Sequence, residues 1–442
     1  MVSIRRVSFL TLGCKVNQYE TQAMKRQFEA AGILPVPDGE DAEIYVVNSC
    51  TVTAAADKKA RQLIARIRRE HPAAVVALTG CLPQAAGALS GALDGADVVT
   101  GSKNRAALLP AVLRFLETGR PVREIQPHLP NETFEPVPAG RFDGRFQKAY
   151  LKVEDGCDRF CSYCIIPAAR GPVRSRPPEE IAREAETLVR AGYREIILVG
   201  INLSRYGADL GLRLPDAVRA AARPAGDFRL RLGSVEPVLV TEADYRALAE
   251  IPRLCPHFHL SLQSGCDGTL RRMNRRYTTA EYQKTVGTIR SLFENPSVTT
   301  DLMVGFPGET DAEFSETCSF VEGLGLLRAH IFEYSPRPGT PAAAMPDQVA
   351  SRTKAERAKA LAGICRRSGE AFARSQAGRD VQVLIEQTGG GYSGNYTFVR
   401  VPHAGADVGA LRRVRVTGAE GETCLGELLP EPQRFPAGWP QL

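Results

Sequence analysis

Two hydrophobic periods divide the chain. From Val7 to about Thr118, short continuous apolar runs at Val7–Leu12, Ile44–Asn48, Val75–Thr79 and Val98–Thr100 predict strands, and Gln18–Ala31, Ala56–Glu70 and Arg105–Glu117 repeat apolar residues at helical spacing. Apolar strands alternating with amphipathic helices predict a doubly wound parallel sheet covered on both faces. The alternation returns between Lys148 and about Gln376, with strands at Ala149–Glu154, Glu195–Val199, Phe228–Leu232, His257–Leu262, Val298–Val304 and Leu327–Tyr334 and helices such as Pro178–Ala191 and Asp311–Leu324. Such βα units predict a partial (β/α)6 barrel with its working groups at the carboxyl ends of the strands. After a helical stretch, Gln348–Gln376, the pattern changes to short strands at Val381–Gln387, Asn395–Val401, Arg412–Thr417 and Thr423–Leu429 between Gly-rich turns, which predicts a small antiparallel β-barrel. Gly119–Gln147 holds five prolines, a Gly and Arg run at Ala139–Phe146 and no period, and reads as a linker. The expected fold is α/β, in segments 1–118, 119–147, 148–376 and 377–442.

Composition narrows the setting. A chain of 442 residues is too long for one ordinary core. It is 43% hydrophobic without an apolar stretch of membrane-span length, and its amino terminus lacks the pattern of a signal peptide. A cytoplasmic protein without membrane partners is expected. The 11 cysteines, sparse over so long a sequence, favour metal ligation in a reducing compartment over a disulfide framework. A net charge of +6 permits an anionic partner without demanding one.

The chemistry is concentrated in cysteine. Cys157, Cys161 and Cys164 form a CxxxCxxC loop, GCDRFCSYC, just after the first predicted barrel strand. Three thiolates can hold three irons of a [4Fe–4S] cube and leave the fourth iron open to a small molecule. A structural zinc site is the alternative, but it needs four ligands, and no further Cys or His lies close in sequence. Cys14, Cys50 and Cys81 each fall one or two residues past a predicted strand, 36 and 31 residues apart. In an open α/β sheet those loops converge, so topology predicts a second three-cysteine site, against the alternative of three unrelated loop thiols. Cys255, Cys266, Cys318, Cys365 and Cys424 are read as structural, Cys266 lying nearest the rim.

The CxxxCxxC loop resembles that of radical S-adenosylmethionine (SAM) enzymes, in which SAM binds the open iron and is cleaved to a 5′-deoxyadenosyl radical. The stretches LGCKVNQYET, NSCTVT, TGC, DGCDRFCSYCIIPAARG, LVGINLSRYG, HLSLQSGCD and DLMVGFPGET are similar to the methylthiotransferase family over essentially the whole chain, and the tail resembles a TRAM RNA-binding domain. KVNQYET, INLSRYG and HFHLSLQSGCDGTLRRMNRRYTT look like the branch acting on N6-threonylcarbamoyladenosine beside the tRNA anticodon. The resemblance implies replacement of the C–H at ring carbon two of that base by S–CH3. It implies two [4Fe–4S] clusters and SAM. Cys157, Cys161 and Cys164 would carry the radical-generating cluster, with Tyr163 near the adenine of SAM, and Cys14, Cys50 and Cys81 the sulfur-donating one. The partners implied are tRNA, a reducing electron donor and a sulfur-donor system. Other readings are methylthiolation of isopentenyl-adenosine in tRNA or of a ribosomal-protein aspartate, and a non-catalytic iron–sulfur or zinc RNA-binding protein.

Further candidates lie at strand ends. Asn202, Ser234, Glu236 and Gln263 are placed to hydrogen-bond SAM or, equally, to stabilise their own loops. The turn Gly305–Gly308 with Glu309 suits close approach to a cofactor or plain turn chemistry. For RNA, Arg170, Arg174 and Arg176 follow the CxxxCxxC loop, and Arg271, Arg272, Arg275 and Arg276 form a second cluster. The tail is not basic overall, so an RNA grip there needs a local patch such as Arg412, Arg413 and Arg415.

Overall fold

The apolar runs of the first segment are buried on both sides. The computed structural model describes residues 5–38, 40–85, 95–135, 147–387 and 389–430. Strands β1 (Arg6–Thr11), β2 (Leu34–Val36), β3 (Ile44–Ser49), β4 (Val75–Gly80), β5 (Val98–Thr100) and β6 (Val122–Glu124) form one parallel sheet in the order β2-β1-β3-β4-β5-β6. One face packs Val7, Ile44 and Ala77 against Phe28 and Val112 of helices Lys15–Ala30 and Leu108–Thr118. The other packs Val47, Val76 and Leu78 against Ile64 and Ile67 of helix Ala54–Glu70. The unpredicted strands β2 and β6 are three residues long and sit at the sheet edges, too short to show a period. β6 pairs Val122 with Val98, so the sheet runs on into the span read as linker. The run Ala139–Phe146 lies outside the described residues.

Strand β7 (Lys148–Lys152) opens the second segment. A two-residue ribbon, β8 (Glu154–Asp155) with β9 (Arg174–Ser175), then closes the loop that carries Cys157, Cys161 and Cys164. The parallel strands β10 (Glu195–Val199), β11 (Arg229–Leu232), β12 (Ser234–Val235), β13 (His257–Leu260), β14 (Ser297–Val304) and β15 (Arg328–Glu333) follow. They pair as β11-β10-β7 and β12-β13-β14-β15, with Gly233 the single residue between the two sheets. Any Cβ there would sit 3.0 Å from the Leu198 carbonyl oxygen, so glycine lets the strand turn from one sheet to the next. The result is the open six-stranded barrel the pattern predicts.

The tail closes into a five-stranded barrel of β16 (Asp380–Gln387), β17 (Gly390–Ser393), β18 (Phe398–Arg400), β19 (Leu411–Glu420) and β20 (Thr423–Leu428), order β16-β17-β18-β20-β19. Its pairs are antiparallel except β18 with β20. β17 reads as a turn because it begins Gly-Gly, yet a Cβ on Gly391 would lie 1.7 Å from the Leu384 carbonyl oxygen. Glycine there permits close strand pairing. This barrel docks on the amino ends of the core strands, where Arg229 donates to the Gln382 and Tyr392 carbonyls (3.0 and 2.8 Å) and Arg231 to those of Gly394 and Ser393 (2.9 and 3.0 Å). Among the described residues no helix is long and apolar enough to cross a membrane.

The first sheet and the core barrel meet through buried charge. Glu20 contacts Arg170 (2.6 Å), Lys152 (2.7 Å) and Arg105 (2.8 Å). Asp155 contacts Lys152 (2.6 Å), Arg174 (3.4 Å) and Arg170 (3.5 Å). Residues 125–135 strap the junction: Glu132 takes Arg174 at 2.9 Å and Lys103 at 2.7 Å, and the Phe134 ring lies under Lys152 and Arg176. Burial alone would raise the Glu20 carboxyl, but Arg105, Arg170 and Lys152 hold it down to about 2. Its contribution is therefore complete above the usual carboxylate range and lost only as the pH falls toward 2. Glu20→Gln, which takes one of their shared carboxylates from Arg105, Lys152 and Arg170, should cost about 3–5 kcal/mol in denaturant unfolding and raise the acid-unfolding midpoint. A variant unfolding like the parent at both neutral and low pH would contradict the role given to this carboxylate.

Candidate functional site

Hydrogen bonds and close approaches stitch together the three loops that leave β1, β3 and β4. Leu12 N donates to the Asn48 carbonyl (2.9 Å), and Asn17 Nδ2 to those of Leu12 (2.8 Å) and Ser49 (3.0 Å). Ser49 Oγ donates to the Thr79 carbonyl (2.7 Å) and accepts from Leu82 N (3.3 Å). Gly13 and Gly80 both have positive φ and no room for a side chain: a Cβ on Gly13 would meet Cys50 Sγ at 2.8 Å, and one on Gly80 the Ser49 carbonyl oxygen at 2.5 Å. The loops of Cys14, Cys50 and Cys81 are thereby brought together, Cys14 exposed and the other two buried. Burial pushes the Cys81 thiol up to about 12 and raises Cys50, and the neighbouring thiols add to both shifts.

The second trio is held from the barrel rim. Cys157 N donates to the Gly171 carbonyl (3.1 Å) and Cys164 N to that of Cys161 (2.9 Å). Gly156 is required at the loop's entrance, where any Cβ would fall 1.8 Å from the Pro172 carbonyl oxygen. Cys161 Sγ accepts from Arg275 Nη1 (3.3 Å), and Asn202 Nδ2 points at Cys157 Sγ from 3.8 Å. Burial raises the Cys157 thiol to about 11 and Cys164 to about 12. Metal binding requires the thiolates, so loading these thiols would release protons.

Arg170 joins the two trios. It ends the short helix Ile166–Arg170 that begins just after Cys164, is completely buried, and directs Nε at Cys81 Sγ across 3.1 Å. Between the trios lies a cavity of about 250 Å³. Val52 and Thr53 from the Cys50 loop form one wall, Tyr163 and Cys164 another, and Gln263, Asp301 and Met303 come from the barrel.

The donor chemistry fits iron–sulfur cubes. Among the described residues no three His, Cys, Asp or Glu side chains converge as they would around a single ion. A cube instead spreads its ligands over separate irons, and three soft thiols per site leave one iron of each cube without a protein ligand.

The SAM candidates divide. Asn202 and Glu236 are buried and joined, Asn202 Nδ2 donating to Glu236 Oε2 (3.1 Å), while Glu236 Oε1 accepts from Arg159 Nε (3.0 Å). Beside them Glu154 accepts from Asn202 N (2.7 Å), its Oε1 has no hydrogen-bond partner among the described residues, and burial raises its carboxyl to about 8. Gln263 and Tyr163 line the cavity, Gln263 with a left-handed backbone (φ +69°) and Tyr163 edge-on to Phe306. Ser234 stands exposed on β12. At the turn Gly305–Gly308 a Cβ on Gly305 would meet Lys354 Cγ at 2.3 Å, and Glu309 pairs with Arg357 at 2.7 Å.

The arginines change most. Arg170, Arg174 and Arg176 are all buried. Arg170 is committed to Glu20 and Asp155, Arg174 to Glu132 and Asp155, and Arg176 to Glu184 and Glu180. They are interface cations and not the surface phosphate contacts expected, because their sequence neighbourhood folds under the first sheet. In the second cluster Arg272 pairs with Glu313 (2.7 Å) and Arg275 faces Cys161, leaving Arg271 and Arg276 exposed. In the tail Arg412 pairs with Asp407, and Arg413 and Arg415 share Asp380 while staying half exposed. Cys255, Cys266, Cys365 and Cys424 are buried and Cys318 half-buried.

Against known proteins, the radical SAM superfamily model matches residues 151–321 and that of the uncharacterized protein family UPF0004 matches residues 6–101. The chain is 38% identical, over 95% of its length and 96% of the relative's, to the threonylcarbamoyladenosine tRNA methylthiotransferase MtaB of Thermotoga maritima. It is 35% identical to the protein of that name from Bacillus subtilis, over 93% and 94% of the two chains. The radical S-adenosylmethionine methyltransferase TsrM of Kitasatospora setae superposes with a TM-score of 0.56 at 16% identity, covering 77% of this chain and 75% of that one, a likeness of fold.

Arg275, which the sequence grouped with RNA contacts, yields a test. Arg275→Ala removes the donor to Cys161 Sγ, so chelator should strip iron from the CxxxCxxC trio about 10–100-fold more readily while the Cys14 trio is unaffected. Equal stripping of parent and variant, measured as iron retained against chelator concentration, would count against it.

Proposed function

The chain belongs to the radical SAM methylthiotransferase family, and on that premise we propose how its residues divide the work of inserting a methylthio group at ring carbon two of N6-threonylcarbamoyladenosine in tRNA. The observation that supports the division most is the common cavity, reached from one side by the Cys50 loop and from the other by Cys164. Cys157, Cys161 and Cys164 hold the SAM-binding [4Fe–4S] cluster, and Cys14, Cys50 and Cys81 the second. Together with SAM, the bound clusters supply a radical able to break an aromatic C–H bond, and a sulfur that is methylated and transferred.

The chain's own residues bind and orient. Asn202 and Glu236, with Tyr163, Ser234 and Gln263, line the SAM side. Arg275 and Asn202 donate toward thiolate sulfur. Arg170 keeps Cys81 at a fixed distance from the Cys164 loop. Val52, Met303 and Phe332 give the cavity apolar wall, which excludes water from a reactive centre. For tRNA we favour the exposed pair Arg413 and Arg415 over the buried arginines. The reaction also draws on an electron donor and a sulfur-donating system, and eleven cysteines without a disulfide suit the reducing cytoplasm where tRNA is modified.

The division is tested by two single variants. Cys157→Ala should abolish reductive cleavage of SAM to 5′-deoxyadenosine. Cys50→Ala should leave that cleavage in place and lose the methylthio nucleoside in mass spectra of tRNA digests. Identical behaviour of the two would refute separate roles. For RNA, replacing Arg413 and Arg415 by Ala should weaken tRNA binding and lower the slope of log affinity against log salt by about two. An unchanged slope would exclude them.

A further inference from the structure

Lys15 follows Cys14 and is the first residue of the helix Lys15–Ala30. Its neighbour Val16 is buried against Ile197 and Val199 of β10. The helix therefore enters the core barrel amino end first and lays its first turn against these strands. The Lys15 side chain is exposed, and no hydrogen bond or ion pair joins it to a described residue. Desolvation and the nearby cations Arg231 and Lys148 lower the pKa of its ammonium, Glu195 and Asp301 of β14 oppose them, and its own charge is felt by His257 and His330.

The other charges around it are matched. Lys148 lies 3.1 Å from Glu386, Arg231 3.0 Å from Glu195, and Asp301 3.1 Å from His259. Lys15 is the cation of this group without a counter-ion among the described residues. Asp301, whose charge acts on Lys15, also lines the cavity with Cys164 and Gln263. An ammonium in a hollow with protein walls gains most from an anion that can replace its water.

We propose that Lys15 binds the carboxylate on the N6 substituent of the substrate base, and so selects an adenosine with an acidic side group over one with an apolar side group. The proposal rests on the substrate reading above. The threonyl group ends in a carboxylate, whereas an isopentenyl group has nothing for an ammonium to hold. If ring carbon two faces the sulfur held through Cys14, N6 lies only a few bonds round the ring, and its flexible substituent reaches the residue beside that cysteine.

The test uses the full chain and anticodon stem-loop RNAs whose threonylcarbamoyl group is either the free acid or its carboxamide. The parent should bind the acid about 10–100-fold more tightly, the range for a hydrogen bond to a charged group. Lys15→Met should bind both alike, and Lys15→Arg should keep the preference. The acid-to-amide ratio is taken within each protein, so a general weakening cancels. An equal preference in the parent and Lys15→Met, or none in the parent, overturns the role of Lys15 alone, provided the parent methylthiolates the threonylcarbamoyl RNA. A parent that leaves that RNA untouched and modifies an isopentenyl-adenosine RNA overturns the substrate reading, and this proposal with it.

Discussion

A guanidinium with no access to water sets the geometry of this molecule. Arg170 lies between Glu20 and Asp155 with Cys81 Sγ at 3.1 Å. Removing such a charge from water costs several kcal/mol unless every partner is in place. The core barrel and the first sheet can therefore dock in few relative positions. The helix carrying Arg170 starts just after Cys164, so docking the domains and setting the two cysteine trios against each other are one event. The neighbouring cations Arg105, Lys152 and Arg174 share the same two carboxylates, which makes the junction a network and not a single pair.

That constraint divides the core barrel into two ends. Its amino end is closed by the small barrel, whose backbone carbonyls accept from Arg229 and Arg231 while Glu195 balances both guanidinium groups. The carboxyl end is left to the first sheet, and the start of the helix Lys15–Ala30 packs Val16 on Ile197 and Val199 of β10. The cavity lined by Val52 and Cys164 thus takes its walls from two domains. Neither the sheet nor the barrel alone would present both sets of thiols.

Much of this was legible in the chain. Continuous apolar runs such as Ile44–Asn48 and Glu195–Val199 are strands at those places because parallel strands are buried on both faces. The loops carrying Cys14, Cys50 and Cys81 lie at one end of the sheet because loops at the carboxyl ends of neighbouring parallel strands must. The short edge strands β2 and β6, and the glycine-led β17, were illegible: their conformation comes from a paired neighbour and not from a period of their own.

Residue order alone carried the succession of the main elements and the kinship of the chain, and marked six thiols as candidate ligands, since these depend on local periodicity and on motif spacing. Tertiary structure alone decided what each charge does. Arg170, Arg174, Arg275 and Arg413 look alike in a sequence, yet the first two lock an interface, the third faces a thiol and the fourth remains half exposed. A charge takes its role from its partner and from the water it keeps or loses, and both are set by residues distant along the chain.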